Sequence, residues 1–152
     1  MIRQIRAEEW EQLKEIRLRA LRTDPAAFGS TLAREEAFPD ETWRARLASN
    51  ATFVATMGDD WVGMSTLLDG PEPEIVGLWV APEARRGGVA VALIHACIAR
   101  AQGSGATKIH LWATVENDAA LALYRRAGFA ETGAPKDVDG GRRFQRLERR
   151  LG

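Results

Sequence analysis

The chain has one cysteine, Cys97, one tyrosine, Tyr124, and two histidines among 152 residues, and each scarcity removes a class of chemistry. A lone cysteine excludes an intrachain disulfide and a cysteine-built metal cluster. Cys97 lies two residues from His95, so the two do not share a helix face, and no base-and-orienter arrangement surrounds the thiol; it reads as buried and structural. His110 alternates out of an apolar strand with no second ligand near it in sequence, and no metal is expected. No Gly-x-x-x-x-Gly-Lys-Ser/Thr sequence occurs. Gly103-Ser104-Gly105 follows a helix and precedes a strand, which makes it a helix stop and not a dinucleotide fingerprint. The chain also lacks net charge, with 21 basic against 21 acidic residues. Nothing in that balance calls for nucleic acid or a membrane. The N-terminus has no apolar run of the signal-peptide kind, and a cytoplasmic location is the expectation.

What is present suits one globular domain over residues 1–152. The hydrophobic fraction is 45% and the charged fraction 28%, ordinary for a soluble globular protein. Residues 2–6 read as a strand. Glu8 and Glu9 open a helix to about Arg22 with an apolar stripe of Trp10, Leu13, Ile16, Ala20 and Leu21, ended by Asp24-Pro25. Between Ala26 and Asn50, Pro39-Asp40-Glu41 marks a helix start. Phe28, Phe38 and Trp43 in that segment read as anchors of a surface helix, and Glu35 and Glu36 as solvated charges. Residues 51–57 and 61–68 form a hairpin around Gly58-Asp59-Asp60. A strand follows from Glu74 to Val80, with Gly77 marking a bulge or a close backbone approach. Thr107 to Ala113 is a further strand, Asn117 or Asp118 caps a helix that stops at Gly128, and Phe129 begins another strand. Phe144, Leu147 and Leu151 near the C-terminus fit a helical stripe.

The stretch from Glu74 to Gln102 organises the rest. An apolar strand, the turn Arg85-Arg86-Gly87-Gly88-Val89-Ala90 and an alanine-rich helix make a phosphate-site layout, because the helix's first N–H groups are unpaired and lie at the positive end of its dipole. Two glycines let a ligand approach the backbone.

Arg85-x-x-Gly88-x-Ala90 resembles the pyrophosphate-binding signature of the GNAT superfamily of acetyl-CoA-dependent N-acetyltransferases. Asn117-x-x-Ala120-x-x-Leu123-Tyr124-x-x-x-Gly128-Phe129 is similar to that family's following helix, which packs beside the pantetheine arm. The resemblance implies a mixed, mostly antiparallel, twisted sheet of six or seven strands with helices on both faces. It also implies a splay between strands four and five that holds acetyl-CoA, and a C-terminal seventh strand in place of the helical stripe. By the same resemblance the cofactor is bound by Leu78, Trp79, Val80, Arg85, Arg86, Gly87, Gly88, Val89, Ala90, Asn117, Ala120, Leu123 and Tyr124. Relatives commonly order Gly-Arg where this chain has Arg86-Gly87, which leaves open which arginine meets the phosphates.

The implied activity is transfer of an acetyl group to a primary amine, small or on a peptide, by direct attack. The resemblance also offers an alternative for the segment with Phe28, Phe38 and Trp43, that it lies over the acceptor pocket, where Glu35 and Glu36 could face the incoming amine. Tyr124 is the expected general acid: its hydroxyl, with an ordinary pKa of ~10 against ~8.5 for a thiol, can support the departing thiolate. A backbone N–H near Val80 would polarise the carbonyl. Asn117 serves as a helix cap, as a cofactor contact, or as both. Glu74 is the nearest acid for the base, with a water relay as the alternative. A non-catalytic acyl-CoA-binding or sensing protein is the competing reading. Exposed arginines beside Trp43, Phe28 and Phe144, with the habit of the fold, lead to an expected homodimer.

Overall fold

The computed structural model describes residues 1–138 and 141–152. Seven strands build one sheet: β1 (Ile2–Gln4), β2 (Ala51–Met57), β3 (Asp60–Leu68), β4 (Glu74–Val80), β5 (Lys108–Thr114), β6 (Ala130–Val138) and β7 (Arg142–Arg150). Their spatial order is β1-β2-β3-β4-β5-β7-β6, antiparallel throughout except for β4 beside β5. The mixed, mostly antiparallel sheet is therefore the one the resemblance implied. Residues 142–150 form a strand despite their helical stripe, because they fill the slot between β5 and β6 and pair on both edges.

Five α-helices cover the sheet: α1 (Trp10–Thr23), α2 (Leu32–Glu36), α3 (Asp40–Ser49), α4 (Val89–Gly103) and α5 (Asp118–Arg126). On one face Leu13 of α1 and Trp43 of α3 pack with Ile5 and Val54. On the other, Ile94, Cys97 and Ile98 of α4 meet Leu67, Ile75 and Ile109. Each such side chain fully removed from water contributes about 1.5–3 kcal/mol. Trp43 is wholly buried and Phe28 nearly so. Neither ring is therefore part of an exposed surface.

Two local features set how closely α4 packs on β3. A Cβ at Gly63 would lie 3.1 Å from Leu93 Cδ1 and 3.2 Å from the Trp79 carbonyl, so a larger residue there would have to push α4 or β4 back by a few tenths of an ångström. Nearby, the Ser65 hydroxyl donates to the Leu93 carbonyl at 3.2 Å and accepts from Cys97 Sγ at 3.4 Å. Burial pushes the Cys97 thiol up to about 11, which keeps it protonated and unreactive at neutral pH.

Candidate active site

Strands β4 and β5 touch through a single pair, Glu74 with His110, and then diverge. Past that bridge the β5-facing backbone groups of β4 have no strand partner, so the gap presents an edge on which an extended ligand can add as a strand. The bulge expected at Gly77 is there. Gly77 has φ +64°, and on β3 Thr66 pairs with Val76 while Met64 pairs with Trp79, so two β4 residues oppose Ser65 alone. Glu74, Val76 and Trp79 consequently point to the α1 side of the sheet.

At the far end of β4 the chain turns through Arg85–Gly88 into α4. Arg86 has φ +69° and Gly88, the helix N-cap residue, has φ +80°. Left-handed residues on either side of Gly87, at the positive end of a 15-residue helix, are backbone that suits an anion nest. The loop is exposed, and a Cβ at Gly88 would meet nothing within 4 Å, so there is open space beside it. The residues present fit a pyrophosphate.

Between the diverging strands lies a cavity of about 300 Å³, lined among others by Arg17, Phe28, Glu74, Gly77, Trp112 and Tyr124. The two groups expected to do acid and base work, Tyr124 on α5 and Glu74 on β4, therefore face one space. The Tyr124 hydroxyl makes no hydrogen bond among the described residues, and burial alone pushes it up to about 12. Glu74 Oε1 sits 3.4 Å from Nε2 of His110, a buried imidazole. Sequence spacing separates these two by 36 positions, and only the parallel bridge between β4 and β5 brings them together.

A sequence model of the acetyltransferase (GNAT) family matches residues 7–129. The chain belongs to the GNAT acetyltransferase family. An uncharacterised N-acetyltransferase of Methanocaldococcus jannaschii is 40% identical over 58 residues, a stretch that is 38% of this chain and 26% of that protein. A GNAT-family acetyltransferase from Streptococcus pneumoniae superposes with a TM-score of 0.84 at 15% identity, over 100% of this chain and 99% of that one. Salmonella typhimurium yncA, solved with its cofactor acetyl-CoA, does so with a TM-score of 0.79 at 20% identity, over 100% and 94%. At these identities the structural likeness establishes the fold.

The remaining residues expected to meet the cofactor fall as follows. Leu78 is half-buried and lines the cavity. Trp79 turns its indole away, donating from Nε1 to Asp24 Oδ2 at 2.7 Å. The Val80 carbonyl accepts from Arg85 Nε at 2.9 Å. Val89 and Ala90 form the first turn of α4. Asn117 Oδ1 accepts from the Ala120 N–H at 3.1 Å, so the capping role is realised, and Ala120 and Leu123 are half-buried on the same helix as Tyr124.

One expectation fails. Glu35 is not a solvated charge: it is 1% exposed, accepting from Arg17 Nε at 3.0 Å and Nη2 at 2.9 Å, and from Arg46 Nη1 at 3.1 Å. Burial would push its carboxyl up, but Arg17 and Arg46 outweigh that and hold it at about 2. Its neighbour Glu36 is exposed. Arg17 and Arg46 were not singled out in the sequence, since arginines on half-polar helices carry no local signal of a shared buried partner. The aromatic segment divides between its two readings, with Phe28 lining the cavity and Trp43 in the core.

Proposed function

We propose that this GNAT protein is a cytoplasmic N-acetyltransferase that moves an acetyl group from acetyl-CoA to a primary amine by direct attack. The observation that carries this is Tyr124 and Glu74 lining one cavity at the splay between β4 and β5. When bound, acetyl-CoA supplies an acetyl group activated as a thioester. The nest at Arg86–Gly88 holds the pyrophosphate, and the unpaired edge of β4 holds the pantetheine arm. A β4 N–H near Val80 polarises the thioester carbonyl.

In the transfer, the amine nitrogen forms a C–N bond to the acetyl carbon as the C–S bond breaks. Glu74, braced by His110, accepts the proton that the amine loses, and Tyr124 donates a hydrogen bond to the sulfur as it becomes a thiolate. Glu74 then gives the amine's proton to water and the thiolate takes one from water, so neither group is changed over the full cycle. The product is an amide and a free thiol.

The test is a panel of primary amines incubated with acetyl-CoA, with free thiol and acetylated product followed together. At least one amine should release thiol in step with its acetylation. Thermal stabilisation by acetyl-CoA with no thiol released from any amine would favour the acyl-CoA-sensing reading instead. Neither stabilisation nor release would remove both.

A further inference from the structure

We propose that the acceptor is a small amine bearing a carboxylate, an α-amino acid or close analogue, and that Arg17 and Arg46 bind that carboxylate. This rests on the acetyltransferase reading above and names its substrate class. The cavity holding Glu74 and Tyr124 adjoins a second, of about 230 Å³, and Arg17, Val76 and Gly77 line both. Arg46 lines the second with Asn50, Thr52 and Thr66. Side by side they give a reacting end and a cationic end, at a size that suits a small molecule.

The cationic end carries more positive charge than its own fold consumes. Two guanidinium groups, with side chains 16% and 32% exposed, share the single carboxylate of Glu35. Glu35 takes Nε and Nη2 of Arg17 and Nη1 of Arg46, which leaves Arg17 Nη1 and Arg46 Nε and Nη2 without acceptors among the described residues. Thr52 and Thr66 bond to each other at 3.0 Å and supply no charge. At this end two guanidiniums meet one carboxylate, and the cleft's other acid, Glu74, lines the reacting end, so an anion at the first end and an ammonium at the second would complete the pairing at both.

Both planes are also held in place. The Arg17 guanidinium lies 4.7 Å from the Phe28 ring centroid, and that of Arg46 lies 4.6 Å from Trp43 and 5.3 Å from Phe38. Stacked and fixed guanidiniums suit a carboxylate, which accepts paired N–H groups in one plane. A polyamine would put cation against cation here. A protein lysine would bring neutral peptide groups and leave the charge unpaired. An amino acid places its ammonium toward Glu74 and its carboxylate toward the arginines, matching both ends.

The experiment uses α-amino acids, each paired with its own α-amide, as acceptors for the whole chain with acetyl-CoA. Acids should exceed their amides in kcat/KM by at least tenfold, mostly through KM. Arg46→Gln should cut that preference at least tenfold while Arg46→Lys keeps part of it; Glu35 retains both Arg17 bonds, and melting curves check that each variant is folded. Equal use of acid and amide, or a preference untouched in Arg46→Gln, overturns the inference and leaves the acetyltransferase reading standing. Should no amine be turned over, calorimetry with N-acetyl amino acids against N-acetyl amino amides decides it. Binding of the acid alone, weakened by Arg46→Gln, supports the carboxylate site while the catalytic reading fails, and absence of acid binding sinks the site.

Discussion

Arg85 is tied back to Asp24, its Nη2 lying 2.6 Å from the Oδ2 that also takes the Trp79 indole. Hydrogen bonds from Trp79 and then Arg85 hold the Asp24 carboxyl below the usual carboxylate range. With Arg85 Nε on the Val80 carbonyl as well, the first arginine of the signature clamps the end of α1 to the end of β4. Arg86, exposed and without an ion pair among the described residues, has its charge free beside the nest.

The arginine that meets the cofactor phosphates is therefore expected to be Arg86. Arg86→Gln should weaken acetyl-CoA binding about fivefold at low ionic strength, roughly 1 kcal/mol, and the loss should shrink as salt is raised. Arg85→Gln should lower the melting temperature instead. Calorimetric titration at two salt concentrations checks both, and a salt-dependent loss confined to the Arg85 variant would reverse the assignment.

Gly88 tests the nest itself. A valine there finds open space but must adopt φ near +80°, a strain of about 1–2 kcal/mol that a domain of this size tolerates. The wild type should melt at a higher temperature with acetyl-CoA and not with NAD, and folded Gly88→Val should lose that shift because its side chain occupies the nest. A retained shift would mean that the phosphates bind elsewhere.

The sequence made most of this scaffold legible because its signals are local. Turn glycines such as Gly58, the bulge glycine Gly77 and the cap Asn117 each act within a few residues, and the phosphate loop is a contiguous run. What stayed illegible is pairwise and distant. Glu35 reads as a surface acid until α1 and α3 bring Arg17 and Arg46 onto it, and Glu74 reads as an edge residue until β5 places His110 opposite. The register of β7 likewise overrode its helical pattern, since seven consecutive β5 residues, Lys108 to Thr114, pair with it.

Glu35 also sets an acid limit on stability. Its carboxyl titrates at about 2 in the folded protein and near ~4.3 when unfolded. A depressed folded value means that its contribution is complete above the unfolded pKa and is lost as pH falls toward 2, on the order of 3 kcal/mol in all. Glu9, held at about 2 mainly by its hydrogen bond from Arg3, acts in the same direction. Urea unfolding at pH 6 and pH 3 should show the loss in wild type and a smaller one in Glu35→Gln. An equal loss in both proteins would remove Glu35 from the account.

Tyr124 separates catalysis from packing. Its hydroxyl, raised to about 12 by burial, is protonated at every pH at which the fold is tested, but it is a weaker acid than the ~8.5 of a thiol. Complete proton transfer to the thiolate is uphill, so its main contribution is a hydrogen bond to developing charge, typically about 1.5–3 kcal/mol. Tyr124→Phe keeps the ring beside Phe129, where the centroids are 6.4 Å apart, and should lower kcat by roughly 10- to 150-fold with acetyl-CoA affinity nearly unchanged. The pH profile provides a second readout. With the donor at about 12, kcat/KM should rise as the amine deprotonates and show no descending limb below about pH 10. A limb near pH 8–9 that vanishes in the Phe variant would assign Tyr124 a much lower pKa and restore full proton transfer. A Phe variant within a few-fold of wild type would leave Tyr124 as a packing residue.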